Sequence, residues 1–547
     1  MAAGWSERDS CRDSEPGAWQ HRVGAATATL ALSLQAFITP SLALDLQQPG
    51  IQEVTAATAA ATARAAGTTL AELDAALRLP APPAEFPPLP PLSMPKYQEL
   101  VLPNGLRLFL MEDHEVPLVR GSLLMKGGQR GSPDDKVGIA TISAGVQRAG
   151  GSTAHPEAVL NEALEDRGAY IEGGAALEYV SMGFSCLAED VSDVLELFSE
   201  VVLTPALPQG KLDLYKAQVF NYLEHQNDDP RSIPGRELAK LIYGKHSVFA
   251  RTPTPQQVQG IGQEDVRQYL STWERPDMAI LGIVGDFNSR DMTALVQEKF
   301  GGWQPAAGQP AQPPPIPNPP LADQSTHAGT MFLINVPGST QASLNPMSFD
   351  AECCTSVALG EVGIQLMDPD DYPLDVLNDI LNSFGGRLFD EIRSREGLAY
   401  SVQGGWAGTP PDHPGLFLAT AETARPGQLM AALRQALQEA TEEVPRAEEV
   451  ARAKESNLNQ FVFNFASSTA QLQRLVAYTL LGVPRDYLFQ YQRGIEAVEP
   501  AQVLAAAQRH LHPSQQTAVV VGDVAKIRPE LEGLGWRIEE LKLEDSS

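Results

Sequence analysis

Ala279-Ile280-Leu281-Gly282-Ile283-Val284-Gly285-Asp286-Phe287 and Thr517-Ala518-Val519-Val520-Val521-Gly522-Asp523-Val524 are two versions of one element, 237 residues apart. Each is an apolar run of strand length that closes on Val-Gly-Asp. A run apolar at every position, rather than alternating, is the pattern of a strand buried on both faces. Each also follows a turn in which a basic residue precedes proline, Arg275-Pro276 and His512-Pro513. One Val-Gly-Asp recurs easily by chance, but recurrence in the same strand and turn setting points to an internal duplication. Between the two units lies Pro305–Pro320 (PAAGQPAQPPPIPNPP), a semi-rigid polyproline connection.

Outward from these strands, each half mixes short strands with long helices. Leu106–Met111, Leu118–Met125 and Tyr179–Leu187 read as strands. Glu157–Arg167, Val191–Val202, Lys211–Gln226 and Arg231–Tyr243 have helical periodicity, and the theme returns at Leu374–Leu381, Gln428–Glu443 and Pro445–Phe461. Hairpins with long helices and no strict strand–helix alternation predict an α+β fold of two homologous halves, each built from layered helices and sheet.

At roughly 150 residues per domain, 547 residues suggest three or four domains, and 43% apolar residues suffice for large cores. Lysine and arginine number 40 against 68 aspartates and glutamates, a net charge of −28. That balance argues against a nucleic-acid binder, which needs clustered cations for phosphates, and against an anionic membrane surface. Four cysteines (Cys11, Cys186, Cys353, Cys354) exclude a disulfide scaffold and CxxC-type zinc or redox motifs. Gly24–Ile38 (GAATATLALSLQAFI), followed by small residues up to Ala43, is too short to span a bilayer but fits the apolar region of an export signal. The long, partly acidic stretch before it suggests a two-part leader, organelle entry followed by a lumenal signal. A chloroplast protein, in the thylakoid lumen, is the favoured expectation, and a periplasmic or secreted one the alternative. The expected layout is a leader at 1–43, an Ala/Pro-rich arm at 44–95, one half at 96–304, a linker at 305–327, the second half at 328–530 and an acidic tail at 531–547.

Leu102-Pro103-Asn104-Gly105-Leu106, Gly127–Lys136 and Gly138-Ile139-Ala140 resemble the opening of the pitrilysin/insulinase metallopeptidase family, in its half-size branch of bacterial zinc proteases and mitochondrial processing peptidase. Gly385-Gly386-Arg387-Leu388-Phe389-Asp390-Glu391-Ile392-Arg393, then Glu396-Gly397-Leu398-Ala399-Tyr400, agrees. The resemblance spans roughly Lys96 to Val524 and implies the processing-peptidase type of metallohydrolase fold. In active members a helix after the Gly-x-Ala turn carries His-x-x-Glu-His, two zinc ligands one helical turn apart with the catalytic base between them. The aligned positions here are Thr141, Ala144 and Gly145. On the distal helix Tyr222 replaces the ligand glutamate and Tyr215 its acidic neighbour. A hydroxyl and phenols of pKa about 10 are poor substitutes for imidazole and carboxylate, and Ala144 and Gly145 offer no donor atom. No zinc is therefore expected on this chain.

His225, His510, His512 and His114 do not recreate the motif and read as surface or turn histidines. The family's arginine–tyrosine pair, which binds the substrate carbonyl and backbone, is matched by Arg393 and Tyr400. The plainer alternative is an arginine bridging to Asp390 or Glu396 and a tyrosine packed at a strand start. The resemblance implies a non-catalytic subunit that pairs with a zinc-bearing homologue, contributes Arg393 and Tyr400 in trans and acts on an extended peptide. The alternatives are a structural or binding protein without proteolytic role and, less expected, a self-sufficient metalloendopeptidase. Leu344–Val357, with Cys353 and Cys354, interrupts what the family builds as a strand and reads as a surface loop or a gene-model error.

Overall fold

The structure, a computed structural model, describes residues 96–310, 312–336, 355–406, 409–465 and 467–544. The expected leader and arm, and the segment around Cys353 and Cys354, lie outside the described residues.

The first half runs β1 (Gln98–Val101), β2 (Arg107–Glu112), β3 (Leu118–Lys126), α1 (Ile139–Gly150), α2 (Glu157–Glu165), β4 (Tyr170–Ala175), β5 (Tyr179–Leu187), α3 (Val191–Leu203), α4 (Gln209–His225), α5 (Ile233–Tyr243), α6 (Pro255–Gln259), α7 (Gln263–Trp273), β6 (Ala279–Gly285) and α8 (Ser289–Phe300). The second runs β7 (Thr330–Asn335), β8 (Thr355–Val362), α9 (Asp371–Asn382), β9 (Val402–Trp406), β10 (Leu416–Thr423), α10 (Pro426–Glu442), α11 (Ala447–Phe461), α12 (Ser468–Leu481), α13 (Tyr487–Ala497), α14 (Pro500–His510), β11 (Thr517–Gly522), α15 (Val524–Leu531) and β12 (Arg537–Glu540).

The sheet orders are β1-β2-β6-β3-β5-β4 and β12-β7-β11-β8-β10-β9. From the second position on they correspond strand for strand, and over these five strands each has one parallel pair (β2 with β6, β7 with β11) among antiparallel ones. The duplication read from the two Val-Gly-Asp strands is thus present in topology. The outermost strands differ: β1 comes from the start of the first half and runs antiparallel to β2, while β12 comes from the chain's end and runs parallel to β7.

Both Val-Gly-Asp strands are buried at every residue because each sheet borrows a helix from the other half. Helix α5 of the first half lies on β8 and β11, where Ile233, Leu238 and Ile242 form one cluster with Phe332, Ile334, Ala358, Val519 and Val521. Helix α12 of the second half lies on β6 and β3. Glycines in the strands admit both helices: a Cβ at Gly282 would stand 2.6 Å from Val476 Cγ2, and one at Gly360 3.1 Å from Leu238 Cδ2. Burial of each large aliphatic side chain on such a helix contributes about 1.5–3 kcal/mol.

A buried arginine ties the halves together. Arg130, 1% exposed, donates through Nη1 to Glu178 Oε2 (2.7 Å) in the first half and to Asp412 Oδ2 (2.9 Å) in the second. Its Nε and Nη2 both donate to the Pro317 carbonyl of the linker, at 2.9 and 2.7 Å. Arg275 similarly donates through Nη1 to Pro310 O (2.7 Å), and its Nε and Nη2 donate to Asp277. A proline-rich strand offers acceptors and few donors, so guanidinium groups suit it. Hydrogen bonds from His413 and Arg130 hold Asp412 down at about 2, whereas burial outweighs the attraction of Arg130 and raises Glu178 above its ordinary value.

Two expectations are corrected. Thr355, Ser356 and Val357 do not belong to an inserted loop: they open β8 and pair with β10 and β11, their small or β-branched side chains buried. The segment after 530 is not simply an acidic tail, since Leu531 and Trp536 are buried and Arg537–Glu540 adds β12 to the sheet. Charged residues hid this strand, and they are what an edge strand tolerates.

Replacing Arg130 by alanine strands Glu178 without its counter-charge. Urea unfolding should show a loss of about 3–5 kcal/mol, and a smaller loss when Glu178→Gln is added to Arg130→Ala.

Candidate functional site

Helix α1 starts where Gly138 adopts φ +97° and ends at Gly151 with φ +72°, both conformations that favour glycine. Within it Thr141 is exposed, Ala144 is fully buried in the core, and Gly145 is partly covered. The residue facing Gly145 is Tyr215 of α4: a Cβ at Gly145 would lie 2.3 Å from Tyr215 Cε1. The phenol ring therefore fills the volume that a side chain at 145 would need. Burial raises the Tyr215 pKa further, so the phenol stays protonated. Tyr222, two turns along α4, is 58% exposed and points to solvent rather than closing the site.

One feature of this region was not read from the sequence. Arg148, on the same face of α1 as Gly145, lends its guanidinium to the Ile171 carbonyl of β4 and to Asn161 Oδ1 at 3.2 Å. Burial lowers its pKa, but an arginine remains cationic in a protein. Among the described residues it makes no ion pair. A fixed positive charge beside the former ligand positions opposes a divalent cation. The family's zinc does not fit here: the imidazole and carboxylate donors are gone, a tyrosine ring fills the gap at Gly145, and a guanidinium lies one turn away.

A second unread feature lies beneath α1. Gln147 Nε2 donates to Glu274 Oε2 (2.8 Å), while Gln147 Oε1, Glu274 Oε1 and Ser143 Oγ find no partner among the described residues. Burial pushes Glu274 up to about 8 against the opposing hydrogen bond from Gln147. A proton on Oε1 turns one of the orphaned acceptors into a donor, which is how a buried carboxyl is accommodated without a counter-charge. The two residues are 127 positions apart, and neither type stands out in its own segment.

Arg393 lies in a π-helical turn, Phe389–Arg395, and Tyr400 just before β9. The guanidinium carbon sits 4.7 Å from the Tyr400 ring centre and 4.8 Å from that of Phe389. The sequence pair is thus brought together, by stacking. The bridge to Asp390 or Glu396 is not formed, and Tyr400 is 81% exposed rather than packed. Neighbouring cations are engaged elsewhere: Arg395 with Glu391 (2.7 Å), Arg387 with Glu449 (3.2 Å), and Arg425 on the carbonyls of Glu396 and Gly397. Behind Arg393, the outer edge of β9 is closed by α9. Asn378 exchanges hydrogen bonds with the backbone of Trp406, and Asn382 with that of Gly404.

The four histidines read as surface or turn residues each pair with a carboxylate: His114 with Asp286, His225 with Asp228, His510 with Asp370 and His512 with Glu361. Asp368, Asp370 and His510 stand close enough to hold an ion, but Arg509 engages both oxygens of Asp370.

Comparison with known proteins supports the family and the fold. Residues 260–457 match the Peptidase M16 inactive domain. The chain is 24% identical to the uncharacterized zinc protease YmxG of Bacillus subtilis over 55% of its own length and 67% of that protein's. It is 21% identical to the mitochondrial cytochrome b-c1 complex subunit 1 of Bos taurus over 40% of this chain, spanning 46% of that one. The fold matches the crystal structure of a peptidase M16 inactive domain from Pseudomonas fluorescens with a TM-score of 0.66 at 22% identity, covering 78% of this chain and 98% of that one. It also matches a protease from Helicobacter pylori (TM-score 0.65, 17% identity, 79% and 100%).

Gly145→His should destabilise the protein by about 1–3 kcal/mol in urea unfolding, and Tyr215→Ala in the same chain should recover part of that loss. Glu274 keeps its proton in the folded state up to about pH 8 but loses it near 4.5 when unfolded. Its stabilising contribution is complete below pH 4.5 and is lost as pH rises through 8, with a slope of up to about 1.4 kcal/mol per unit. Unfolding measured across this window should show that slope in the wild type and a flattened one in Glu274→Gln.

Proposed function

We propose that this chain, which carries the M16 peptidase inactive domain and is homologous to zinc proteases of the pitrilysin/insulinase family, is a non-catalytic subunit of a zinc peptidase. It pairs with a homologue bearing His-x-x-Glu-His and contributes Arg393 and Tyr400 to the shared active site. The observation that carries the reading is a contrast within one chain. Of the positions aligned with the family's zinc motif, Ala144 is buried in the core, Gly145 is filled by Tyr215, and Thr141 and Tyr222 offer only hydroxyls, while Arg393 and Tyr400 stand exposed and stacked together.

In that site the metal and the base belong to the other subunit. The role of Arg393 follows from its fixed, permanently charged donors, which no carboxylate among the described residues engages. Aimed at a scissile carbonyl, they stabilise the negative charge that develops on its oxygen, and preorganised donors of this kind contribute several kcal/mol to catalysis. The Tyr400 hydroxyl adds a neutral hydrogen bond to the peptide backbone, and its ring holds the guanidinium in place. Substrates are extended peptides, and the chain's net charge of −28 favours basic ones. The apolar stretch Gly24–Ile38 supports an organellar or exported location, a chloroplast by preference and the periplasm or secretion as the alternative.

A second reading, a structural subunit without proteolytic role, is favoured by the similarity to cytochrome b-c1 complex subunit 1. The two part in a reconstitution assay. The purified chain is mixed with a His-x-x-Glu-His homologue from the same genome, and cleavage of a fluorogenic peptide is followed. The proposal predicts that cleavage appears only in the mixture and falls roughly 10²–10³-fold with Arg393→Ala, with a smaller fall for Tyr400→Phe. Cleavage indifferent to both substitutions supports the structural reading.

A further inference from the structure

Next to the arginine–tyrosine pair stands an aromatic side chain that the pair does not need. Phe384, 89% exposed, follows α9 and is presented by the turn at Gly385, whose φ of +84° favours glycine and whose missing side chain leaves open space. Its ring lies 4.9 Å from that of Phe389 at an interplanar angle of 44°. Phe389 in turn carries the Arg393 guanidinium at 4.8 Å, and Tyr400 closes the row at 4.7 Å. Phe384, Phe389, Arg393 and Tyr400 thus form one ladder, with both end rings open to solvent.

Resting on the reading that Arg393 holds a substrate carbonyl, we propose that Phe384 is a specificity residue that selects peptides with an aromatic side chain a few positions from that carbonyl. The ladder places a cation with no carboxylate partner among the described residues beside an open ring, and a peptide offers the matching alternation of carbonyl and side chain. The two steps from Arg393 to Phe384, 4.8 and 4.9 Å, correspond to about two to three residues of extended chain at roughly 3.3 Å each. The tilted Phe384–Phe389 pair already has the geometry that aromatic rings prefer, and a third ring extends it. Clusters of aromatic residues with arginine are also the usual composition of binding hot spots. The turn at Gly385 has no side chain to obstruct a backbone lying across it.

The test needs only the full chain. Anisotropy titrations compare a fluorescein-labelled basic peptide containing one phenylalanine with the same peptide carrying alanine there. Phe384→Ala should weaken the phenylalanine peptide about five- to twenty-fold and leave the alanine peptide unchanged, and Phe384→Leu should fall between. At 89% exposure the substitution leaves the fold intact, as circular dichroism will confirm. Arg393→Ala should weaken both peptides alike. If Arg393→Ala changes neither while Phe384→Ala still discriminates, the role of Arg393 fails and the aromatic subsite stands. Equal effects of Phe384→Ala on both peptides, or no measurable binding of the phenylalanine peptide to the wild type, overturn the proposal.

Discussion

Each sheet depends on a helix that belongs to the other half. Helix α5 covers β8 and β11, α12 covers β3 and β6, and Gly360 and Gly282 give the two helices room to settle on the strands. The constraint explains why the two Val-Gly-Asp strands are apolar throughout: an ordinary outer sheet would alternate, but these strands face apolar helices on both sides. It also makes the halves one cooperative body, further clasped where Arg130 joins Glu178, Asp412 and the Pro317 carbonyl. Independent motion of one half against the other would expose both borrowed helices at once.

Inside that frame α1, the helix that the family resemblance aligns with the zinc-binding motif, packs one face into the core. Ala144 sits in the hydrophobic cluster, Tyr215 packs where a side chain at 145 would stand, and Arg148 and Gln147 have been turned to structural use on β4 and Glu274. The second half diverges differently: α9 closes the edge of β9 through Asn378 and Asn382, and the segment between them presents Phe384, Phe389, Arg393 and Tyr400 outward. One chain thus combines a first half without metal donors at these positions and a second half with an exposed arginine–tyrosine pair.

Much of this was legible in the sequence because it is local. Periodicity located seven helices to within a few residues but passed over α12, and the repeated strand with its turn revealed the duplication. The Thr141–Gly145 substitutions announced the loss of donors. What stayed hidden is what separates contact from chain order. Arg130 meets Asp412 across 282 residues and Gln147 meets Glu274 across 127, and neither pair has a spacing to read. The strand β12 escaped notice because Arg537, Glu539 and Glu540 read as a charged tail, and Thr355–Val357 because unfamiliar residues precede them. The sequence also identified Tyr215 only as a lost carboxylate, whereas its ring is the filler of the gap at Gly145.

The central claim is that this polypeptide cannot hold the family's metal. Elemental analysis by mass spectrometry of the full chain, purified alone and dialysed against micromolar zinc, addresses it most directly. The account predicts a zinc content far below one ion per chain, unaffected by Tyr222→Ala. One tightly held zinc per chain, removed by a chelator together with peptide hydrolysis by the lone protein, would contradict it.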